Sequence, residues 1–488
     1  MEDKKTKIIC DTKNSKEELL TLSEFRREVG IPLVLARKMI LWGEVEAVKA
    51  YDGTLRIASA EVCRVRDLLK NPRKRIKYFF RALGPGVITG ASDDDPSGIG
   101  TYSSVGARFG FAILWMALWL LPMMLAVQEV CARIGIVTNK GLAGVLLKHY
   151  RKKIVLAVVS ILIIANIVNI GADLGAMAAS LQMLVGGSFY LFAIGFAVFI
   201  ILCEIFIGYH TYVKFLKWLT LSVFAYVITG IIIHPDWTLI WKDVLVPQIT
   251  FNKEYVFAMI AVFGTTISPY LFFWQASEEV EENRTNGFNH KDKKVMHVRI
   301  SQMRTDVSTG MILANVVFFF IVLTTAQVLF KNGINNIGSA EEAAQALRPF
   351  AGNFAYLLFA LGIIGTGLLA VPILAGSGAY ALSEIMKWRE GLELKFSRAK
   401  GFYMVITVSV IFGLFLNFFH INPIIALYWA AFLNGVIALP LLVVIMVVGN
   451  DAKIMGQETH PKWVKIFGWL AVAFMTLAIL ATLILLFI

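Results

Sequence analysis

From Phe79 to the C-terminal end, the chain alternates between long apolar stretches and short polar segments. A helix of about 20 apolar residues crosses the hydrocarbon core of a bilayer. The pattern therefore predicts an all-α integral membrane domain over residues 80–488, with about eleven spanning helices. Their approximate bounds are 80–108, 111–136, 153–185, 188–208, 213–233, 254–277, 305–330, 354–384, 401–420, 423–449 and 463–487.

Basic residues are concentrated in alternate loops. If the N-terminus is cytoplasmic, the inner loops near 140–153, 284–304 and 387–400 are rich in Lys and Arg. The outer loops carry few basic residues, namely Arg108, Lys242, Lys253, Lys331 and Arg348. This asymmetry follows the positive-inside rule and agrees with eleven spans. We expect a multi-pass protein of a bacterial inner (cell) membrane, with a cytoplasmic N-terminus.

The first 79 residues have a different pattern. Residues 1–16 are charged and predict a disordered tail, residues 17–70 a small cytosolic domain, and residues 71–79 a basic linker. Apolar positions in the domain predict three helices around a hairpin with a turn at Asp52-Gly53. These positions are Leu20, Leu22, Phe25 and Val29 in the first helix, Val34, Ala36 and Ile40 in the second, Val45 to Ile57 in the two strands, and Val62, Val65 and Leu68 in the third helix.

This N-terminal domain resembles the winged helix-turn-helix of excisionases and MerR-type regulators. The resemblance rests on hydrophobic spacing over roughly fifty residues, and it implies nucleic acid as a candidate partner. A membrane anchor restricts access to DNA, however. We therefore favour a tethered regulatory or packing module.

Composition excludes several other classes. Hydrophobic residues make up 57% of the chain and charged residues 16%, with a mean hydropathy of +0.69. Soluble domains carry about 25% charged residues. The net charge of +12 comes from loops that face lipid headgroups, so it does not indicate nucleic acid. The four cysteines are scattered, and we expect neither a zinc site nor a disulfide framework. No enzyme motif is present, so we expect a protein that is not an enzyme and holds no permanently bound cofactor.

Span one contains a polar interruption, in the sequence GPGVITGASDDDPSGIGT from Gly84 to Thr101. Three consecutive carboxylates, Asp93, Asp94 and Asp95, precede Pro96. Acidic groups at membrane depth are costly unless they face a cavity or a cation. Proline removes a backbone donor, so it frees a carbonyl at the same depth. The combination predicts a broken helix that holds a cation. For Asp93 and Asp94, the alternative role is to cap the half-helix.

Span six contains a second interruption, Gly264-Thr265-Thr266-Ile267-Ser268-Pro269-Tyr270. It opens the second group of five spans, as the Asp95 helix opens the first group. Interrupted helices at matching positions of two halves indicate an inverted-repeat transporter. The alternative is that Pro269 only kinks a packed helix.

These motifs together resemble the Nramp family of divalent-metal transporters. The family's DPGN motif aligns with Asp95, Pro96, Ser97 and Gly98, and its Met-Pro-His motif aligns with Ser268, Pro269 and Tyr270. The segment Gln128–Ala143 is similar to a family segment in span two. The resemblance covers about residues 80–450 and implies a LeuT-type inverted 5+5 repeat with helices one and six broken. The implied metal ligands are Asp95, Gly98, the carbonyl of Thr265, and Ser268, with Asp94 beside them.

Departures from the family motifs change the expected ion. Gly98 has no side-chain oxygen where the family has Asn, and Ser268 has no sulfur where the family has Met. A thioether favours soft or borderline ions, so its loss removes a basis for choosing Mn²⁺ or Fe²⁺ over Mg²⁺. Mg²⁺ keeps several of its waters and suits a roomier site of oxygen donors. The pattern is similar to the Nramp-related magnesium-transporter branch.

Proton coupling is a separate question. The family's helix-six histidines correspond to Tyr270 and Gln275, which do not titrate near neutrality. Asp173 in span three remains a candidate proton relay or a structural acceptor. Asp93 and Asn434 are further candidates for lining the pathway.

We therefore expect uptake of Mg²⁺, and of Mn²⁺, without obligatory proton coupling and by alternating access. Two alternatives stay open. One is a proton-coupled Mn²⁺/Fe²⁺ carrier of the usual Nramp type. The other is a membrane-tethered metal sensor whose N-terminal domain binds DNA. The expected partners are the divalent ion and the lipid bilayer, and the sequence does not specify an oligomeric state.

Overall fold

The computed structural model describes residues 19–31, 36, 39–40, 44–49, 55–71, 84–207, 221–285 and 293–487. The chain divides into two compact units. The N-terminal unit comprises residues 1–84 and 289–306, and the membrane unit comprises residues 85–288 and 307–488. The predicted tail, most of the basic linker, and the Asp52-Gly53 turn lie outside the described residues.

The N-terminal unit contains a three-stranded antiparallel sheet in the order β1-β3-β2. Its elements are β1 (Leu19–Thr21), α1 (Leu22–Val29), β2 (Ala47–Lys49), β3 (Leu55–Ala58) and α2 (Ser59–Lys70). Between α1 and β2, Ala36, Met39 and Ile40 are helical. The hydrophobic core combines α1, α2 and the sheet, through Phe25, Ile57, Val62 and Val65, with Met39 from the segment between α1 and β2.

The prediction that Leu20 begins the first helix is wrong. Leu20 lies in β1 and pairs with Ile57. The helix begins only after Thr21 because the Thr21 hydroxyl accepts a hydrogen bond from the backbone N–H of Glu24 at 3.3 Å. The Glu24 carboxylate in turn accepts one from the backbone N–H of Thr21 at 2.8 Å. Such a capping box fixes the first turn of a helix.

The cysteine expectation also needs correction. Cys63 in α2 is disulfide-bonded, although the scattered cysteines led us to expect no disulfide. Cys131 and Cys203 are free and buried. Sequence separation alone is a poor guide to pairing, because folding can bring distant residues together.

Within the described part of the membrane unit, all regular secondary structure is helical. Its helices of eight residues or more, together with the long helix that leads into it from the N-terminal unit, are α3 (Pro85–Asp93), α4 (Pro96–Phe109), α5 (Trp115–Thr138), α6 (Leu142–His149), α7 (Lys152–Val185), α8 (Phe189–Phe206), α9 (Phe224–Ile232), α10 (Trp237–Leu245), α11 (Lys253–Thr266), α12 (Pro269–Thr285), α13 (Lys293–Val328), α14 (Ala355–Met386), α15 (Lys400–Leu416), α16 (Pro423–Asn450) and α17 (Lys462–Phe487). Short helices at Ala340–Ala344, Arg348–Ala351 and Ala452–Met455 lie in the connections.

Within the described residues, nine helical segments are long and apolar enough to cross a membrane. The two other predicted spans also correspond to helical segments. Predicted span one is divided into α3 and α4, and predicted span five is described only over its second half, which contains α9. The protein is thus an integral membrane protein with many spanning helices.

Both predicted interruptions are real breaks in the helices. The first lies between α3 and α4, so Asp94 and Asp95 are outside helical structure. The second lies between α11 and α12, at Ile267 and Ser268. In each case a proline is the first residue of the following helix, where its missing N–H costs little.

Long helices surround these breaks. Helix α7 packs along α14, α15 and α16, while α11 packs against α16 and α12 packs against α5. Helices α11 and α16 approach closely at Gly264, where an added Cβ would lie 2.1 Å from the carbonyl oxygen of Ala431 and 2.3 Å from the backbone nitrogen of Gly435. Small residues allow such close approach between membrane helices. The second break is therefore held firmly against its neighbour.

Candidate metal centre

Asp95 occupies the first break and caps α4. One of its carboxylate oxygens, Oδ1, accepts hydrogen bonds from the Gly98 backbone N–H at 2.6 Å and the Ser97 hydroxyl at 2.7 Å. An acidic residue before a proline-initiated helix is well placed to satisfy free N–H groups and the helix dipole. The capping role that we considered for Asp93 and Asp94 therefore belongs to Asp95.

The other carboxylate oxygen of Asp95, Oδ2, faces two side chains from other helices. The Asn169 amide nitrogen on α7 lies 3.4 Å from it, and the Tyr270 hydroxyl on α12 lies 3.5 Å from it. The Tyr270 hydroxyl also donates to the Ser92 carbonyl at 2.9 Å. Tyr270 thus connects the second broken helix to the end of α3.

The second break faces the first through Thr265. The Thr265 hydroxyl oxygen lies 3.5 Å from that of Ser97, and an added Cβ on Gly98 would lie 3.3 Å from it. The Ser268 hydroxyl donates to the carbonyls of Gly264 at 2.8 Å and Thr265 at 2.9 Å. Ser268 therefore satisfies carbonyls that the break would otherwise leave without partners. We call Asp95, Ser97, Asn169, Thr265 and Tyr270 the Asp95 cluster.

Further carboxylates are buried close to the break in the chain and on α7. Asp93 and Asp94 are 1% and 6% exposed, and Asp173 is 0% exposed. Both side-chain oxygens of Asp93 and one of Asp94 have no hydrogen-bond partner, and the Asp173 carboxylate lies near Asp95 and the backbone N–H of Ser97. Within the described chain, no ion pair joins them to a basic residue. Buried carboxylates without such compensation are expensive, so cations or protons must balance them.

The structure does not bring every predicted site residue to Asp95. Gln275 lies further along α12, where its side chain accepts a hydrogen bond from the Thr89 hydroxyl at 2.5 Å and donates to Glu279 at 2.9 Å. It therefore links α3 to α12. Asn434 is buried on α16, and among the described hydrogen bonds none joins it to the Asp95 cluster.

Sequence reasoning missed Asn169. It precedes Asp173 by four residues on α7, so the two side chains share one face of that helix. Helical spacing from Asp173 could have identified Asn169 as a neighbour of the site. Nothing in the sequence shows that its amide meets Asp95, because that contact depends on how α7 packs beside α4.

The groups that contact Asp95 are hydroxyls, an amide and a backbone N–H. Over the described residues, no three His, Cys, Asp or Glu side chains have an arrangement that could hold a metal ion. A cation at this position would therefore meet one principal carboxylate, neutral oxygens and its own waters. Such a donor set suits a hard, hydrated divalent ion.

The acidic run at the end of α12 is not the solvated face that such runs usually form. Glu278 and Glu279 are 5% and 0% exposed. The Glu281 carboxylate accepts hydrogen bonds from the Tyr380 hydroxyl and from the backbone N–H of Glu393, the latter at 2.9 Å. These contacts fasten the loop between α14 and α15 to the end of α12.

Glu390 lies in this same loop, outside the spanning helices. Burial and the nearby carboxylate of Glu384 raise the pKa of Glu390 to about 8, although Arg284 at 3.9 Å opposes the shift. Glu384 is itself held by the backbone N–H groups of Gly141 and Gly144, at 2.7 Å and 2.8 Å. The acidic residues around the loop are therefore part of the packing between helices.

Comparison with known proteins places this architecture in a family. Residues 86–485 match the model of the Nramp family, described as natural resistance-associated macrophage protein-like. A relative in Klebsiella pneumoniae (strain 342), named divalent metal cation transporter MntH, is 26% identical over 414 residues, which are 84% of this chain and 95% of the relative. A relative of the same name in Clostridium acetobutylicum is 26% identical over 434 residues, covering 85% and 92%.

Solved structures agree with the fold. A manganese transporter of Eremococcus coleocola, in complex with an aromatic bis-isothiourea substituted compound, has a TM-score of 0.64 at 18% identity, covering 82% of this chain and 86% of that one. Mhp1, a nucleobase-cation-symport-1 family transporter, has a TM-score of 0.52 at 11% identity, covering 83% and 92%. The LeuT-type inverted repeat and the family resemblance expected from the two interruptions are confirmed. The chain belongs to the Nramp family of membrane transporters and is not an enzyme.

Proposed function

We propose that this protein is a secondary transporter that takes up divalent metal cations, chiefly Mg²⁺ and also Mn²⁺, by alternating access. The observation that carries the proposal is the meeting of the two helix breaks at Asp95, with the Ser97 and Thr265 hydroxyl oxygens 3.5 Å apart. Broken half-helices at the midplane of inverted-repeat transporters bind ions through freed backbone groups and side chains. Asp95, Gly98, Thr265 and Ser268 form the proposed binding site, and Asp94 assists them.

Selectivity for Mg²⁺ rests on the chemistry of the donors. The position that aligns with the family's Met is Ser268, whose hydroxyl bonds to the carbonyls of the broken helix. Without a thioether, the site has no soft donor that would bind Mn²⁺ or Fe²⁺ in preference to Mg²⁺. Hydroxyl, carbonyl and carboxylate oxygens serve a hydrated Mg²⁺ well.

Proton coupling is not required energetically. An inside-negative potential of 100 mV drives a divalent ion inward with about 4.6 kcal/mol, twice the value for a single charge. At about 1.4 kcal/mol per tenfold ratio, this drives more than a thousandfold accumulation. Tyr270 and Gln275 have no proton to exchange near neutral pH, and the hydrogen bonds of Gln275 to Thr89 and Glu279 give it a structural role. We therefore propose uptake without obligatory coupling.

A proton-coupled manganese carrier is the second candidate. The Eremococcus coleocola protein is described as a manganese transporter, and the buried carboxylate of Asp173 on α7 offers a group that could carry a proton. Asp93 and Asn434 remain proposed pathway residues under either candidate.

The direct test is uptake into liposomes that contain the purified protein. Mg²⁺, Mn²⁺ and Ca²⁺ are compared under an inside-negative potential, with a pH indicator inside the vesicles. We expect saturable Mg²⁺ and Mn²⁺ uptake with no change in internal pH. Acidification that accompanies the ion would show coupling and refute that part of the proposal. Exclusion of Mg²⁺ with strong Mn²⁺ uptake would favour the second candidate.

We further propose that the N-terminus is cytoplasmic and that the protein resides in a bacterial inner membrane. The excess of basic residues in the loops near 140–153 and 387–400 supports this orientation. Residues 17–70 would then form a cytosolic domain. For that domain we favour a regulatory or packing role over nucleic-acid binding, because attachment to the membrane restricts its reach.

A further inference from the structure

The side-chain amide of Asn169 has an oxygen atom beside Asp95 that accepts no hydrogen bond. The side chain is 0% exposed, and its amide nitrogen points at Asp95 Oδ2 from 3.4 Å. Its amide oxygen is buried and has no hydrogen-bond partner. Leaving such an acceptor unsatisfied is unfavourable, because it has lost its hydrogen bonds to water. A buried, unpaired oxygen directly beside a carboxylate is therefore an arrangement that calls for a bound cation or a water.

The neighbouring amide on α7 shows what a purely structural asparagine does here. Asn166, nearly one turn earlier, donates from its side-chain nitrogen to the Leu374 carbonyl and the Ser377 hydroxyl, both at 2.8 Å. These bonds fasten α7 to α14. The nitrogen of Asn169, in contrast, is directed at the carboxylate of the broken helix.

The space around Gly98 indicates why an amide ligand for the ion would come from α7. The family motif has an Asn at this position, and this chain has Gly. An added Cβ there would lie 3.1 Å from the Asp93 carbonyl oxygen and 3.3 Å from the Thr265 hydroxyl oxygen. Both distances are shorter than ordinary van der Waals contact, so a larger residue fits at position 98 only if the Asp93 carbonyl and the Thr265 side chain both shift. An amide oxygen can reach Asp95 more readily from α7, on another side of the carboxylate.

We propose that Asn169 binds the transported cation, with its amide oxygen and Asp95 Oδ2 receiving the hydrated ion between α7 and the first helix break. The inference rests on the proposed function and adds a binding residue to it. Neutral amide oxygens are ordinary ligands for hard divalent ions. The amide nitrogen meanwhile holds the Asp95 carboxylate in position.

Two substitutions separate binding of the ion from support of Asp95. Asn169→Ala removes both functions of the amide. Asn169→Asp keeps an oxygen for the cation but removes the N–H that faces Asp95. If the oxygen binds the ion, we expect Asn169→Ala to weaken Mg²⁺ and Mn²⁺ binding by roughly tenfold to a hundredfold, and Asn169→Asp to bind at least as tightly as the native protein.

The measurement is the dissociation constant of each ion by titration calorimetry on the purified full-length protein in detergent, alongside KM and the maximal uptake rate. Asn450→Ala is the matched control, because the amide nitrogen of Asn450 donates to the Met446 carbonyl of its own helix, α16, at 2.7 Å. We expect it to bind both ions as the native protein does.

Three results would overturn the inference. One is native affinity in Asn169→Ala. Another is a loss in Asn169→Asp as large as that in Asn169→Ala, which would show that only the N–H matters. If Asn169→Ala does not fold, the affinity of Asn169→Asp decides the question alone. Binding at least as tight as in the native protein supports the inference, and weaker binding overturns it. Failure of the native protein to bind any divalent ion would instead refute the proposed function, and this inference with it.

Discussion

The two oxygens of Asp95 are committed to different tasks. Oδ1 caps α4 through Ser97 and Gly98, whereas Oδ2 faces Asn169 and Tyr270. The helix therefore fixes the carboxylate in position before any ion arrives. A ligand oriented in advance loses little conformational entropy on binding.

Asp95→Asn should separate these two tasks. Asparagine caps helices about as well as aspartate, so we expect a folded protein with a melting temperature close to the native value. Loss of the charge should reduce Mg²⁺ uptake on the order of a hundredfold. Asp451→Asn, at a cap whose side chain accepts from the Lys453 N–H at 2.8 Å, is the control and should leave uptake unchanged. Native uptake by Asp95→Asn would mean that the ion binds elsewhere.

Ser268→Met should change the choice of ion. A thioether beside the Asp95 cluster would favour Mn²⁺ over Mg²⁺. We expect the ratio of Mn²⁺ to Mg²⁺ uptake efficiency to rise on the order of tenfold, which corresponds to about 1.4 kcal/mol. Competition uptake in liposomes measures this ratio. Ser268→Ala loses the same hydroxyl bonds without gaining sulfur, and an equal shift in that variant would contradict the argument.

Residue chemistry could predict part of this site from sequence alone. Three adjacent carboxylates before Pro96 identified the first break, because charge at membrane depth has few explanations. Asn169 escaped notice, since an amide in an apolar helix is as often a packing residue. Burial of Glu278 was also unpredictable, because its partner, the Tyr380 hydroxyl on α14, lies 102 residues away in the sequence.

At the scale of elements, the two breaks depend on the helices packed against them. Gly264 brings α11 against α16, with no room for a Cβ before the Ala431 carbonyl. Position and orientation of the Thr265 carbonyl follow from that contact. Residues far from the ion therefore affect the geometry of the site through the packing of these helices.

Gly264→Ala tests this dependence. We expect a loss of about 1–3 kcal/mol in stability from overpacking, seen as a lower melting temperature, together with weaker uptake. Gly195→Ala on α8 is the control, because nothing lies within 4 Å of its added Cβ. That variant should be as stable as the native protein or slightly more so. Equal melting temperatures for both variants would show that α11 is free to move away from α16.

The loop between α14 and α15 should respond to pH. Because the pKa of Glu390 is raised to about 8 in the folded protein, the folded state binds more protons than the unfolded state at intermediate pH. Stability from this group is complete below about pH 4.5 and is lost as pH rises through 8. The melting temperature of the native protein should therefore fall as pH rises over this range, and the melting temperature of Glu390→Gln should fall less. An identical pH profile in both proteins would contradict this account.

Element boundaries were predicted well where one local rule dominated. Prolines 96 and 269 each begin a half-helix, as their missing N–H requires. Leu20 was placed wrongly because its apolar spacing continues that of α1, whereas the capping box of Thr21 and Glu24 makes the helix begin at Leu22. The spacing of apolar residues contains no information about helix caps. The pairing of Leu20 with Ile57 also depends on how the three strands assemble into a sheet.

At the scale of the molecule, the N-terminal unit and the membrane unit each have their own core, and the predicted ion site lies entirely in the membrane unit. We therefore expect a protein that lacks residues 1–70 to keep Mg²⁺ uptake within about twofold of the native rate per folded molecule, since no residue of the Asp95 cluster is removed. Liposome uptake normalised to folded protein measures it. Complete loss of uptake would indicate that the domain takes part in conduction or its control.

The central claim is that the two helix breaks hold a largely hydrated divalent ion against Asp95. The most direct measurement is anomalous diffraction from crystals of the full-length protein soaked in Mn²⁺, repeated with excess Mg²⁺. We predict one anomalous peak beside Asp95 Oδ2, where it faces Asn169 on α7 and Tyr270 on α12, within about 5 Å of the carboxylate, and its disappearance when Mg²⁺ competes. A peak away from both breaks, or one that Mg²⁺ does not displace, would contradict the account.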